Sequence, residues 1–220
     1  MYAATVDGQR LDFTVSGMLW KRSLVMRDEE TETLWSHILG KGMRGKLQGT
    51  ELNVLPSLMT DWRSWKTAHP KTTAILLNRT ARGFNQDMYR SPENFLVGLR
   101  NSKKSKAWRF DHLQKQPVVN DFWNEKPVVI NLLVESFSSA IFFRTLDGQD
   151  LLFEIDDQQQ IIDRQTQSKW NLQVGLCTEG KLKGKRLRQL SSIPSFTTAW
   201  AKYYPASQYW SPSKKTRVRQ

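Results

Sequence analysis

Asp28-Glu-Glu-Thr-Glu-Thr-Leu-Trp35 returns 135 residues later as Asp163-Arg-Gln-Thr-Gln-Ser-Lys-Trp170, and the correspondence runs on without a gap. Gly40, Gly45, Lys46, Leu47, Gly49, Leu52, Leu55, Ser57, Trp65 and Pro70 match Gly175, Gly180, Lys181, Leu182, Gly184, Leu187, Leu190, Ser192, Trp200 and Pro205. With Asp28, Thr31 and Trp35 this makes 13 identities over the 43 positions 28–70. Upstream, Asp7-Gly8-Gln9 with Leu11, Phe13 and Val15 recurs as Asp147-Gly148-Gln149 with Leu151, Phe153 and Ile155, now 140 residues later. The second copy is therefore five residues shorter in its connection. A fixed-offset repeat of this kind means a duplicated structural unit, so it is read before any single element.

Within each copy, Asp-Gly tolerates the positive φ of a tight hairpin turn, and the apolar alternation after it marks a strand. Leu11, Phe13 and Val15 share one face in the first copy. Ala140 and Phe142 precede the turn in the second, and Leu151, Phe153 and Ile155 follow it. A glycine-punctuated stretch leads to a short helix opening near Thr60-Asp61 or Ser195. The helix stops before Pro70 or Pro205, because proline lacks an amide proton and disfavours a helical residue before it. Trp62, Trp65 and His69 fall on one helical face, as do Phe196, Trp200 and Tyr203, which predicts core aromatics. Phe95–Leu99, residues 117–123 and the apolar run 127–134 read as further strands.

The fold class expected is mainly β, a β-rich α+β arrangement of two duplicated units. Each unit is a twisted antiparallel sheet or partial barrel with one short aromatic helix. The first unit spans residues 1–90, the second 91–210, and 211–220 is a basic disordered tail. Trp35 with Trp170, and Trp65 with Trp200, should hold equivalent buried positions. The second unit starts near Phe95, so its counterpart in the first would lie about 45 residues before Met1. The expectation is a first unit that is N-terminally incomplete.

The chain has 220 residues, 39% of them hydrophobic, enough to build a core. Its single cysteine, Cys177, closes no internal disulfide and supplies no thiolate zinc cage. The longest apolar run falls far short of the roughly 20 residues that span a bilayer. Met1-Tyr2-Ala3-Ala4-Thr5 lacks the basic start and apolar core of a signal peptide, so the chain as given reads as cytoplasmic. Lys and Arg number 33 against 21 Asp and Glu, and 14 of the positive charges fall in the acid-free segments 100–109, 181–188 and 211–220. The rest is nearly neutral.

Phe13-Thr-Val-Ser-Gly17-Met-Leu, Thr33-Leu-Trp35-Ser36, Gly45-x-Leu47-x-Gly49-x-x-Leu52, Trp65-x-x-x-His69-Pro70 and Ala199-Trp200-x-x-Tyr203-Tyr204-Pro205 resemble, in order, the family known as domain of unknown function 3179. The resemblance extends to about Trp210. It implies bacterial or archaeal relatives, often exported or lipid-anchored, and brings no activity with it. Relatives carry a Cys-Pro-Leu-Cys phrase just before the Asp-Gly hairpin, preceded by a His-Glu…Asn-Asp phrase. In this chain the strand at Val128–Phe137 has no cysteine, and Asn120-Asp121 keeps only the end of the second phrase. The glutamine that relatives often carry after Trp-Ser is His37 here.

Gly40-Lys-Gly-Met-Arg-Gly45-Lys46 has P-loop spacing and is repeated at Gly175–Lys181, yet Leu47 and Leu182 stand where a magnesium-binding hydroxyl is needed. Glycine turns between strands account for both. His37, His69 and His112 are too far apart for a local metal pattern, so neither a metal nor a cofactor is expected. Cys177 reads as a free thiol. The carboxylates Asp28-Glu29-Glu30 and Asp156-Asp157 read as turn residues. Asn120, Asp121 and His37 remain as candidate ligand-binding residues, and no catalytic constellation is visible.

Two functions follow from the sequence. One is a non-catalytic or degenerate family member that binds a small ligand or partner between the units. The other is polyanion binding, nucleic acid included, through Lys103, Lys104, Lys106 and Arg109, with Trp108 as a stacking surface, and through Lys181, Lys183, Lys185, Arg186 and Arg188. If the second holds, nucleic-acid affinity falls steeply with added salt and is lost on neutralising the five cations of 181–188; no binding at low salt eliminates it.

Overall fold

Both Asp-Gly pairs turn as their residue types require, with φ of 47° and 80° at Asp7 and Gly8 and 49° and 81° at Asp147 and Gly148. In the computed structural model, which describes residues 1–21, 23–58, 60–74 and 91–212, these turns join β1 (Thr5–Val6) to β2 (Gln9–Arg10) and β12 (Thr145–Leu146) to β13 (Gln149–Asp150). Each hairpin leads into a four-stranded antiparallel meander. The first comprises β3 (Phe13–Trp20), β4 (Ser23–Asp28), β5 (Leu34–Ser36) and β6 (Lys41–Arg44). The second comprises β14 (Phe153–Ile155), β15 (Ile161–Asp163), β16 (Lys169–Asn171) and β17 (Leu176–Glu179).

Between the meanders lie β7 (Phe95–Arg100), β8 (Ser105–Arg109), the turn of helix α2 (Phe110–Leu113), and the three-stranded sheet of β9 (Val118–Trp123), β10 (Lys126–Leu133) and β11 (Ser138–Phe143). Helix α1 (Trp62–Ala68) follows the first meander, with Asp61 accepting the Ser64 amide at its start. Helix α3 (Thr197–Tyr203) follows β18 (Ile193–Phe196), and β19 (Gln208–Trp210) closes the order β18-β7-β8-β19. The protein is thus β-rich, with several antiparallel sheets, none closed into a barrel, and a few short helices. The 89–91 boundary and the tail beyond Pro212 reach outside the described residues.

The main core lies between the β7–β8 pair and the β9–β10–β11 sheet, where Val97, Trp108, Phe110, Leu113, Val128, Ile130 and Ile141 are fully buried. Each meander has its own smaller core, around Leu11, Trp35 and Leu52 in one and Leu151, Phe153, Trp170 and Leu187 in the other.

Each meander is organised by a buried carboxylate. Trp35 donates its indole N–H to Asp28 Oδ2 at 2.7 Å, and Trp170 donates to Asp163 Oδ2 at 2.9 Å. The other side of each carboxylate caps the turn, accepting the Thr31 amide at 2.6 Å and the Thr166 amide at 2.6 Å. Thr33 Oγ1 accepts the Leu47 amide and Ser168 Oγ the Leu182 amide, both at 3.1 Å. Gly45 and Gly180 lie against these hydroxyl residues with φ of 115° and 93°, and a Cβ on either would come within 2.8 Å of the Thr33 or Ser168 Cα. Burial would raise the Asp28 carboxyl, but the donors from Trp35 and Thr31 outweigh it and hold it below the ordinary carboxylate value.

Several sequence expectations need correction. Asp28 is no solvated turn residue; it is completely buried beneath Trp35. Val15 and Ile155 do not continue the core face, being 68% and 38% exposed, because both strands run past the edge of their cores there. Trp200 is fully buried, whereas Trp65 is 38% exposed: β7 packs on Trp200, and among the described residues no strand lies over Trp65. Trp108 offers no stacking surface, since it is fully buried in the main core.

Asp28→Asn places an amide donor against the donors that the carboxylate accepts. It should lower unfolding free energy by about 1–3 kcal/mol in urea titrations at neutral pH. Because the folded carboxyl titrates below its unfolded value near 3.9, the difference from wild type is full above that pH and shrinks as pH falls through the folded value.

Candidate binding groove

Polar contacts join the first meander to β7 and helix α3. Arg100 on β7, with its side chain 12% exposed, donates from Nη2 to the Leu39 carbonyl and pairs through Nη1 with Glu51 at 3.6 Å. Tyr2 and Tyr204 both donate to the Ile38 carbonyl, at 3.0 and 3.4 Å, and Tyr203 donates to that of Trp20 at 2.5 Å. Trp20, at the tip of the β3–β4 hairpin, also meets Tyr203 edge to face with ring centres 5.3 Å apart. Burial pushes the Tyr204 phenol up to about 12, with Tyr2 and Glu51 adding to the effect and Arg100 opposing it.

His37 faces this seam, in a cavity of 130 Å³ shared with Tyr2, Val54 and Ser192. Partial burial, helped by the Met1 amino group, lowers its imidazole below the ordinary value. The cavity is small, and the tyrosine hydroxyls of the seam are committed to backbone carbonyls, whereas the buried Ser192 hydroxyl has no partner among the described residues.

Asn120 and Asp121 are adjacent on β9 but serve different neighbours. Asn120 exchanges two hydrogen bonds with the Phe153 backbone, at 2.7 and 2.9 Å, so its amide substitutes for a strand partner between β9 and β14. Asp121 accepts from Lys106 Nζ at 2.7 Å and from the Trp108 indole at 2.9 Å. Both side chains are engaged in holding strands together.

The basic segments are partly neutralised. Lys106 pairs with Asp121, Arg109 with Asp111 at 2.8 Å, and Lys185 with Asp147 at 2.9 Å, while Arg188 lies over the Phe143 ring at 4.2 Å. Lys103, Lys104, Lys181, Lys183 and Arg186 are exposed. Lys214, Lys215, Arg217 and Arg219 of segment 211–220 lie outside the described residues. Cys177 is buried in the second meander, which raises its thiol above the ordinary value. Among the described residues no three His, Cys, Asp or Glu side chains gather as a metal site, and no helix is long and apolar enough to cross a membrane.

Sequence reasoning missed a two-lobed concavity. Helix α1 and residues Leu58 and Thr60 form one wall, and Leu133, Asn171, Gln173 and Val174 of the second unit form the other, around a groove of 420 Å³. A second lobe of 540 Å³ adjoins it across Leu133, Asn171 and Gln173, and is lined further by Asn131, Glu135, Gln159, Gln160 and Thr178. The first lobe is mostly apolar, with the exposed Trp65 stacked on His69 at 4.1 Å; the second carries side-chain amides. Gln173, which lines both, has its Nε2 buried without a hydrogen-bond partner. An unsatisfied donor of this kind costs about 1–3 kcal/mol. The only signal for this groove in the sequence was the position of Trp65 on an amphipathic helix.

These features define a β-rich protein with two four-stranded meanders and a two-lobed groove beside helix α1. The chain belongs to the family described as Protein of unknown function (DUF3179), whose model matches residues 1–94 and 77–207. No curated protein and no solved structure matches it.

Arg100→Met leaves the Leu39 carbonyl without its donor and should lower stability by about 1–3 kcal/mol in urea. The unfolded phenol titrates near 10, so the Tyr204 contribution is complete below about pH 10 and is lost as pH rises towards 12. Ultraviolet difference titration should show that alkaline phase disappear in Tyr204→Phe.

Proposed function

We propose that the protein is a non-catalytic binding member of its family that takes a ligand or partner in the cleft between its two units. The observation that carries this reading is the two-lobed groove, whose apolar wall faces a row of amides that includes the unpartnered Gln173 Nε2. Clefts that join apolar walls to a few convergent polar groups are the usual form of binding sites. The two units are read as copies of one ancestral unit. The paired Asp–Trp hydrogen bonds at an offset of 135, and the two stretches matched by the family model, support that reading.

Asn120 and Asp121 then act as structural residues, since both side chains hold strands together away from the groove, and His37 lies in the separate 130 Å³ cavity. Polyanion binding has less support, because Lys106, Arg109, Lys185 and Arg188 already have partners. It rests on Lys103, Lys104, Lys181, Lys183 and Arg186.

A panel of small aliphatic and aromatic amides, screened against ¹⁵N-labelled protein, should shift the Trp65 indole and the side-chain amides of Asn171 and Gln173 together. Shifts scattered over the surface, or none at all, would reject the groove as the binding site.

A further inference from the structure

Strand β10 is buried on both faces. Val128, Ile130 and Leu132 enter the main core, while Val129, on the other face, packs on the second meander. Asn131 shares the face of Val129, two residues on. Its partners across the sheet are Val118 on β9 and Ala140 on β11, both apolar. Asn131 is only 5% exposed, yet among the described residues its side-chain amide has no hydrogen-bond partner. It lines the 540 Å³ lobe, as does Gln173, whose buried Nε2 is equally unpartnered. Native folds seldom leave such groups unsatisfied, so two of them at one cavity mark a place that something else completes.

The meander itself has no need of these polar side chains. At the offset of 135, Asn171, Gln173 and Thr178 correspond to Ser36, Ile38 and Met43, and the first meander closes around the same Asp–Trp hydrogen bond without an amide at any of the three. The lobe is selective in charge as well. The protein carries a formal +12, but the described residues that line this lobe include no Lys, Arg or His. Glu135 is their one carboxylate, exposed and outside any ion pair among the described residues. A phosphate or carboxylate ligand would meet one like charge there and no counterion. Leu133, Ile155 and Ile161 add an aliphatic surface to the same lobe.

We infer that this lobe binds a neutral saccharide, held by Asn131, Glu135 and Gln173 together with the exposed amides of Gln159 and Gln160. This rests on the cleft reading and names its ligand class. A sugar hydroxyl both donates and accepts, so adjacent hydroxyls satisfy an amide donor and an acceptor-only carboxylate at once. The C–H faces of the sugar ring suit the aliphatic surface, in the usual division of a small-molecule site into apolar walls and a few polar groups. A purely apolar ligand would leave Asn131 and Gln173 unpaired, and a simple amine would give the Gln173 N–H no acceptor.

The test titrates the ¹⁵N-labelled full chain with the methyl glycosides of glucose, galactose, mannose and N-acetylglucosamine, with cellobiose and maltose, and with glucuronate as the anionic control. At least one neutral sugar should shift the side-chain amides of Asn131 and Gln173 saturably. Affinity, read at the amide that remains, should fall at least about tenfold in Asn131→Val and in Gln173→Ile, the latter installing the residue of the first copy. Both variants should keep or raise the urea midpoint, since each replaces an unpaired amide with an apolar side chain, whereas a structural role for the amides would lower it. No shift with any neutral sugar at tens of millimolar, glucuronate binding as tightly, unchanged affinity in the variants, or a midpoint lowered in both overturns the inference. If the small amides still shift Asn171 and Gln173 while no sugar does, the saccharide fails and the cleft stands; if neither shifts them, both fall.

Discussion

A carboxylate sealed beneath a tryptophan is the constraint on which each half of this molecule depends. Asp28 and Asp163 are fully buried, and an ion in such a place survives only if nearly every lone pair is met by a donor. The donors are drawn from one turn: the indole seven residues on, and the amide and hydroxyl three residues on. Meeting them fixes the path of the chain from β4 to β5 and from β15 to β16. It also places the hydroxyl of Thr33 or Ser168 where it can receive the next glycine turn. The meander follows from that node.

The architecture was legible in the sequence where local chemistry decides it. Asp-Gly specifies its own turn through backbone tolerance, and Pro70 and Pro205 stop helices wherever they are placed. The identities at 28–70 and 163–205 mark side chains that now make matching hydrogen bonds. Legibility failed where an outcome depends on what packs on top. Trp65 and Trp200 carry the same pattern and each donates to a hydroxyl seven residues on, yet one is a groove wall and the other a core residue. Nothing within either helix encodes that difference; it lies in β7, distant in sequence.

The candidate site was read less well, for a related reason. Asn120 and Asp121 stood out as a polar pair at a strand end, but a carboxylate or amide there can equally bind a neighbouring strand. Only the positions of Lys106, Trp108 and the Phe153 backbone distinguish the two. The groove is built from Leu58, Leu133, Asn171 and Gln173, residue types with no chemical signature, brought together from three segments well apart in sequence.

The β3–β4 hairpin bears on how the halves can be handled. Its tip reaches across to Tyr203, while Arg100 and Tyr204 hold the carbonyls of Leu39 and Ile38 from the other side. Cutting the chain between the repeats would therefore strip both fragments of hydrogen-bond partners at once and bare Trp20 to solvent. The contacts of Arg100, Tyr203 and Tyr204 thus tie residues 91–210 to the first meander, so fragments cut between them should be less stable than the whole chain.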